Sequence, residues 1–252
     1  MKLTFLGVSS ALSVGYLKFH SNMLLETDSG KHILIDCGGD VRHAMFELGY
    51  TPKQIDAVFI SHLHADHVGG LEWLGFSKFF MENIQLPLYI APELKERLWN
   101  NVLSGGMSTL EYKEATLETF FQLEALDDNM SFTLDNHVFK LIKVPHSYSN
   151  NHLLPSYGLL IYGKQHKVFI TTDTRFALEE LSSVYQEADI IFHDCETSEH
   201  LSNQHSHYNQ LITLSKEIKQ KIWLYDYNDC QLPDALADGF LGFVTRGQQF
   251  EF

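Results

Sequence analysis

Residues 61–70 read Ser-His-Leu-His-Ala-Asp-His-Val-Gly-Gly, so three imidazoles and a carboxylate (His62, His64, Asp66 and His67) fall within six positions. They follow Ala57-Val58-Phe59-Ile60, an apolar run that reads as a core strand. A strand end is ordinarily followed by Gly, Asn, Asp or Pro, because a turn has to be made. Imidazoles in that place need another reason. Their nitrogens, with carboxylate oxygen, suit divalent zinc, manganese or iron. On an extended segment His62 and His64 project to the same side and can share one ion. Asp66 and His67 come as the chain turns into a helix that could run from Ala65 to Trp73, and they reach a neighbouring point. The spacing predicts two adjacent metal sites.

Several elements must position these groups. Lys2 to Leu6 reads as a short strand ending at Gly7, before a long polar loop from Val8 to His20. Asn22 to Thr27 and Lys31 to Asp36 are apolar runs separated by Asp28-Ser29-Gly30, a hairpin signal. Asp40 is placed to cap a helix through Leu48, with Gly49 as its stop. Val41, Ala44, Met45 and Leu48 fall on one face at helical spacing and read as core. Pro92 opens a helix through Leu103, which Ser104-Gly105-Gly106 breaks. Strands are expected at Phe132–Leu134, Val138–Val144, Tyr157–Tyr162 and Lys167–Thr172. Helix follows at Leu178–Glu187, strand at Asp189–His193, helix at Tyr208–Lys219 and strand at Ile222–Tyr225. Strands first in meanders and then alternating with helices imply two sheets flanked by helices, within a single domain spanning 1–252.

The chain has 252 residues and a formal net charge of −14. A protein that lives on phosphate backbones is normally basic somewhere, so a large nucleic acid is disfavoured as partner and a small anionic substrate is not. No apolar run approaches the ~20 residues that span a bilayer, and no membrane partner is expected. Cys37, Cys195 and Cys230 are scattered without CxxC spacing, and the N-terminus lacks a signal peptide's apolar stretch. Buried thiols in a reducing cytoplasm fit this pattern.

The segment His62 to His67 resembles the HxHxDH signature of the metallo-β-lactamase superfamily, and further motifs follow in order. Leu34 to Asp40, Leu-Ile-Asp-Cys-Gly-Gly-Asp, resembles the family's strand and Asp-Cys-Gly turn. Val144 to Ser147 supplies His146 where the family has its third histidine for the first metal. Ile170 to Arg175 supplies Asp173, which in the family bridges both metals. The resemblance implies an α/β fold, the four-layer αβ/βα sandwich, with a metal centre at the sheet edges. Phosphodiesterase-like members close the second site with a histidine after a late strand. Here Asp226 stands at that position, within Trp-Leu-Tyr-Asp-Tyr-Asn-Asp. A carboxylate is a competent and harder ligand. The expected cofactors are two divalent ions, zinc first, with manganese or iron as alternatives at the second site.

Ile191 to Leu211 resembles the segment that in ribonuclease Z and related cyclic-nucleotide phosphodiesterases carries an acidic residue after a strand and a histidine on the next loop. The resemblance implies that Asp194 orients His205 and that His205 is the general acid, with His207 as its rival. Asp66, Asp194 and His205 are thus the expected catalytic carboxylates and acid. Tyr148 and Tyr208 flank the expected centre and could stack on a base. With two ions activating a water, no protein nucleophile is required, so Ser9, Ser10 and Ser61 read as turn residues. The expected activity is a metal-dependent phosphodiesterase acting on a small phosphodiester such as a cyclic nucleotide. Alternatives are a carboxyl-ester or lactone hydrolase, a transfer-RNA 3′-processing type endonuclease, and a non-catalytic metal- or nucleotide-binding relative. No Gly-rich arm for gripping transfer RNA is evident, which disfavours the endonuclease. A homodimer is compatible with the sequence.

Overall fold

The computed structural model describes residues 1–149 and 152–252. Two seven-stranded sheets dominate it. The first runs in the order Gln249–Glu251, Lys2–Phe5, Met23–Glu26, His32–Ile35, Ala57–Ile60, Leu86–Ile90 and Phe121–Leu123. The second runs Gly242–Phe243, Ile222–Tyr225, Ile190–Asp194, Lys167–Ile170, Tyr157–Tyr162, His137–Lys143 and Ser131–Leu134. Each sheet passes from antiparallel pairs at one side to parallel pairs at the other. Parallel pairs need crossovers, and those crossovers carry the helices that cover the outer faces.

Side-chain alternation sorts the faces of the second sheet. Val168, Ile170, Phe192 and Tyr225 join the large core shared with the first sheet, where Phe5 packs 5.1 Å from Phe192 and 5.4 Å from Tyr225 by ring centroid. Phe169, Ile191 and Leu224 join a second core with Leu181, Val184 and Tyr185 of the helix Leu178–Glu187. The result is the layered α/β sandwich of the metallo-β-lactamase fold.

The hairpin forms across Asp28-Ser29-Gly30 in the register Leu24↔Leu34, with Gly30 at φ +81°. Four local expectations change. Asp40 precedes the helix Val41–Glu47 but makes no cap; its Oδ2 instead accepts from the His20 N–H at 3.0 Å, drawn away by the long loop. Ser104-Gly105-Gly106 does not break the helix from Pro92. Pro92–Leu98 continues as a wider turn over Trp99–Leu103 and then helix Ser104–Met107, because buried Leu103 and Met107 keep it docked. Tyr208–Lys219 is two short helices, Tyr208–Leu211 and Lys216–Lys219, with Ser215 at the second N-cap. Cys37 and Cys195 are buried, whereas Cys230 is exposed beside Thr197. Among the described residues no helix is long and apolar enough to cross a membrane.

Candidate metal centre

Asp36, Ser61, His146, Asp173, Asp194 and Asp226 all lie at or just beyond the carboxyl ends of strands. These ends gather at one edge of the sandwich, where open α/β sheets place their ligands. The strand Ala57–Ile60 is fully buried and runs parallel to both neighbours, so its exit is fixed. The next residues carry His62 and His64 and enter the helix Ala65–Val68, which holds Asp66 and His67. Gly38 lets that helix approach the preceding loop: a Cβ there would sit 2.0 Å from the Asp66 carbonyl oxygen. Asn22 fastens the same junction, accepting from the Gly38 N–H and donating to the Asp66 carbonyl at 3.1 Å.

The donors fall into groups whose ligand atoms all lie within 4.8 Å of one another: His62, His64, His146 and Asp173; Asp66, His67 and Asp173; and Asp173, Asp194 and His205. Asp173 belongs to all three. The His62 Nε2 lies 3.0 Å from His64 Nδ1, and the His146 Nε2 lies 3.1 Å from the same atom. The His67 Nε2 lies 3.1 Å from Asp66 Oδ2 and 3.2 Å from Asp173 Oδ2. Among the described residues Asp226 joins none of these groups. Its Oδ2 lies 3.6 Å from His205 Nδ1, with its backbone at φ +64°.

The far nitrogens settle the tautomers of three rings. His146 Nδ1 faces the Gln204 carbonyl at 2.8 Å, which can only accept. His67 Nδ1 faces the buried Asp36 Oδ2 at 2.7 Å. The Ser61 hydroxyl donates to Asp36 at 2.7 Å, so it accepts from His62 Nδ1 at 3.0 Å. In its neutral form each of the three rings therefore turns its Nε2 lone pair toward Asp173. Asp173 Oδ1 and Asp194 Oδ1 are buried without a hydrogen-bond partner among the described residues. Converging lone pairs and orphaned carboxylate oxygens are an arrangement that a divalent cation satisfies and a hydrogen-bond network does not. The residues present fit divalent metal.

The electrostatics separate the rings, and the proton held on His67 is one that an ion would have to displace. Burial alone would lower the His67 imidazole; the carboxylates of Asp173, Asp66 and Asp36 outweigh it and hold it well above its ordinary value. Burial, with Asp173 and Asp194 nearby, pushes the Asp226 carboxyl up to about 8. His62 goes the other way, lowered well below its usual range by burial and by His67.

His205 Nδ1 lies 2.9 Å from Asp194 Oδ2, which also accepts from the Thr174 N–H at 2.9 Å. His207 is committed elsewhere: its Nδ1 accepts from the Asn209 N–H at 3.1 Å and its Nε2 donates to the Ser198 carbonyl at 2.9 Å. Tyr148 lines the cleft beside the centre, but Tyr208 does not; it is buried against Phe240 and Phe243 with its hydroxyl on Asp238. The sequence reading gave Asp36 only as part of the Asp-Cys-Gly turn, took Ser61 for a turn residue and did not single out Gln204; all three orient the clustered rings. An aspartate directly after the strand His32–Ile35, upstream of a histidine-rich turn, was the available signal for the first.

The family model described as anti-Pycsar protein Apyc1 matches residues 1–250. The chain belongs to that family. An anti-Pycsar protein Apyc1 of Paenibacillus harenae is 35% identical over 231 residues, covering 91% of this chain and 90% of the relative. One from Bacillus phage vB_BsuM-Goe3 is 31% identical, with 98% and 97% covered. The metallo-β-lactamase fold protein YhfI from Bacillus subtilis superposes with a TM-score of 0.75 at 19% identity, covering 99% of this chain and 98% of that one. This last likeness carries the fold. The fold, together with the His/Asp clusters of this Apyc1-family chain, supports a metal-dependent hydrolase.

Proposed function

We propose that this chain is a phosphodiesterase that hydrolyses small phosphodiesters, cyclic nucleotides foremost. The observation that carries the reading is the His205–Asp194 pair, held at 2.9 Å on the rim of the clustered donors. In the proposal His62, His64, His146 and Asp173 hold one ion, zinc. Asp66, His67 and Asp173 hold a second, zinc or else manganese or iron, with Asp226 completing its ligands. Divalent ions in such a donor set supply charge stabilisation at a phosphoryl group and a water acidic enough to attack it at neutral pH.

The chain's own groups do the rest. Burial would lower His205, but Asp194, Asp173 and Asp226 outweigh it and raise it to about 11, which favours the protonated ring. Its Nδ1–H is spent on Asp194, which leaves the Nε2–H for the departing oxygen. As water oxygen bonds to phosphorus and the P–O ester bond breaks, that proton passes to the leaving alkoxide. Asp194 keeps the ring turned and stabilises its charge; burial and Asp173 raise its own carboxyl to about 6. A carboxyl ester has less need of such an acid. The cleft of about 610 Å³ beside the centre, lined by His64, Asp66, His146, His205 and Asp226, suits a ligand of nucleotide size. The relatives are named for opposing Pycsar, and the same opposition is proposed for this chain.

The test is hydrolysis by metal-loaded protein of 3′,5′-cyclic nucleotides, an aryl phosphodiester and a carboxyl ester. Cyclic nucleotides should open to monophosphates, and His62→Ala should lose most bound metal and essentially all turnover. Ester cleavage without diester cleavage by fully loaded protein would overturn the reading.

A further inference from the structure

We infer that the ring of Tyr148 is a stacking platform for the base of a nucleotide-type substrate, set in the cleft beside the metal centre. This rests on the phosphodiesterase reading and concerns the part of the substrate remote from phosphorus. Tyr148 begins the small hairpin Tyr148–Ser149 with His152–Leu153, and its side chain forms part of the wall of the cleft that also contains His64, His146 and His205. It is 48% exposed, an unusual state for a large ring pinned on one side. The pin is Arg175, whose guanidinium carbon lies 4.6 Å from the ring centroid.

Arg175 is fixed in turn. Its Nε donates to the His146 carbonyl at 2.6 Å, and its backbone N–H donates to the Pro145 carbonyl at 2.7 Å. One face of the tyrosine is therefore covered by an anchored cation, while about half of the residue stays exposed and it lines the cleft. A ring already held in place loses little conformational freedom when a second ring stacks on it. The anchor on His146 also registers the platform against a residue whose Nε2 joins the metal-binding cluster, so a base and a phosphorus can be engaged at one fixed separation. Away from the clustered donors the wall is largely neutral, Glu196 apart: Ala11, Leu12 and Leu154 contribute apolar surface, and the Asn228 amide is bonded to Ser10 Oγ at 3.1 Å. A neutral planar heterocycle suits the apolar part of this wall.

The experiment is calorimetric titration of metal-loaded protein with adenosine 5′-monophosphate and with ribose 5-phosphate, which share the phosphate and differ in the base. The nucleotide should bind ~10–100-fold more tightly, the range that base–aromatic stacking provides. Tyr148→Ala should abolish that advantage and leave ribose 5-phosphate binding and metal content unchanged; Tyr148→Phe should keep it. Equal affinity of wild type for the two phosphates, no binding of either, or equal loss of both in Tyr148→Ala would overturn the platform. Loss of metal in Tyr148→Ala would also overturn it, because the ring would then act by holding Arg175 and His146. A Tyr148-dependent base preference without turnover of any cyclic nucleotide would keep the platform and remove the reaction.

Discussion

Replacing Asp36 by asparagine changes two atoms' chemistry and no volume, and the surroundings of Asp36 let its effect be worked out. The carboxylate is buried and accepts three hydrogen bonds: His67 Nδ1 at 2.7 Å and Ser61 Oγ at 2.7 Å on Oδ2, and the Ser61 N–H at 2.8 Å on Oδ1. An asparagine amide has one oxygen and one NH2 group. With the oxygen toward the Ser61 N–H, the NH2 meets two donors, His67 Nδ1–H and the serine hydroxyl. Flipped, the NH2 meets the backbone N–H instead. Either way a buried donor loses its acceptor, which costs about 1–3 kcal/mol. The cheapest escape is for His67 to move its proton to Nε2, the nitrogen that faces Asp66 and Asp173. That proton then occupies the lone pair a metal needs. Asp36→Asn should therefore weaken the ion at Asp66, His67 and Asp173 by ~10–100-fold, the usual penalty for losing a group that orients a ligating histidine. The ion at His62, His64 and His146 should be affected less, through Ser61 alone. Competition with a chromophoric chelator resolves the two affinities, and nitrogen NMR of the imidazoles reads the tautomer directly. Two ions bound at wild-type affinity, with His67 still protonated at Nδ1, would refute the reasoning.

Three further outcomes follow from the same geometry. His205→Ala should lose ~10²–10⁴-fold on a cyclic nucleotide, whose alkoxide needs its proton, and far less on a nitrophenyl diester, at unchanged metal content; equal losses on both would assign His205 to positioning. Asp226→Ala should lower occupancy of one ion and spare the other, and Asp226→His should retain activity with a shift toward zinc; elemental analysis finding two full ions in the alanine variant would remove Asp226 from the ligand set. His193 is buried and neutral, its Nδ1 donating to the Asp194 carbonyl and its Nε2 accepting from the Tyr185 hydroxyl, both at 2.7 Å, and burial lowers it to about 4. Because the folded value lies below the unfolded one, its contribution is complete above pH ~6.5 and fades as pH falls toward 4, by about 3 kcal/mol in all. Urea unfolding from pH 7.5 to 4.5 should thus show wild type losing more stability than His193→Gln, and parallel losses would contradict the assignment.

Elements with a strong local pattern were legible in the sequence. Tyr157–Tyr162, Ile222–Tyr225 and Leu178–Glu187 have the same ends in the structure as in the sequence reading. Elements whose reason is distant were not. Gln249–Glu251 is a strand because Lys2–Phe5 lies beside it, and Leu86–Ile90 and Phe121–Leu123 are short strands that extend a parallel sheet. Nothing local distinguishes them from loop. The helix through Gly105 and Gly106 shows docking overriding propensity. The same division runs through the site. Ligand-type residues announce themselves by chemistry, and the structure gathers His62, His64, Asp66, His67, His146 and Asp173 into clusters that share Asp173. Asp36 is legible only as part of the Asp-Cys-Gly turn; its φ of +61° and its reach to His67 exist only in the folded chain.

The loop between Glu196 and His207 shows how His205, the proposed acid, is held from irregular backbone against donors gathered at strand ends. Two consecutive residues of that loop touch the centre from different directions. The Gln204 carbonyl receives His146 Nδ1, fixing a metal-facing ring, and His205 engages Asp194 at the end of its strand. The loop is closed on itself by Glu196, whose carboxylate accepts from the Ser198 hydroxyl at 2.9 Å and from the Ser202 N–H and hydroxyl at 3.0 Å each. His207 seals its end by joining the Ser198 carbonyl to the first turn of the helix Tyr208–Leu211. A displacement of this loop would therefore shift the His146 and His205 rings together. Coupling the two gives the loop a reason to be stiff, since a general acid that wandered by an ångström would lose the alignment that makes it useful.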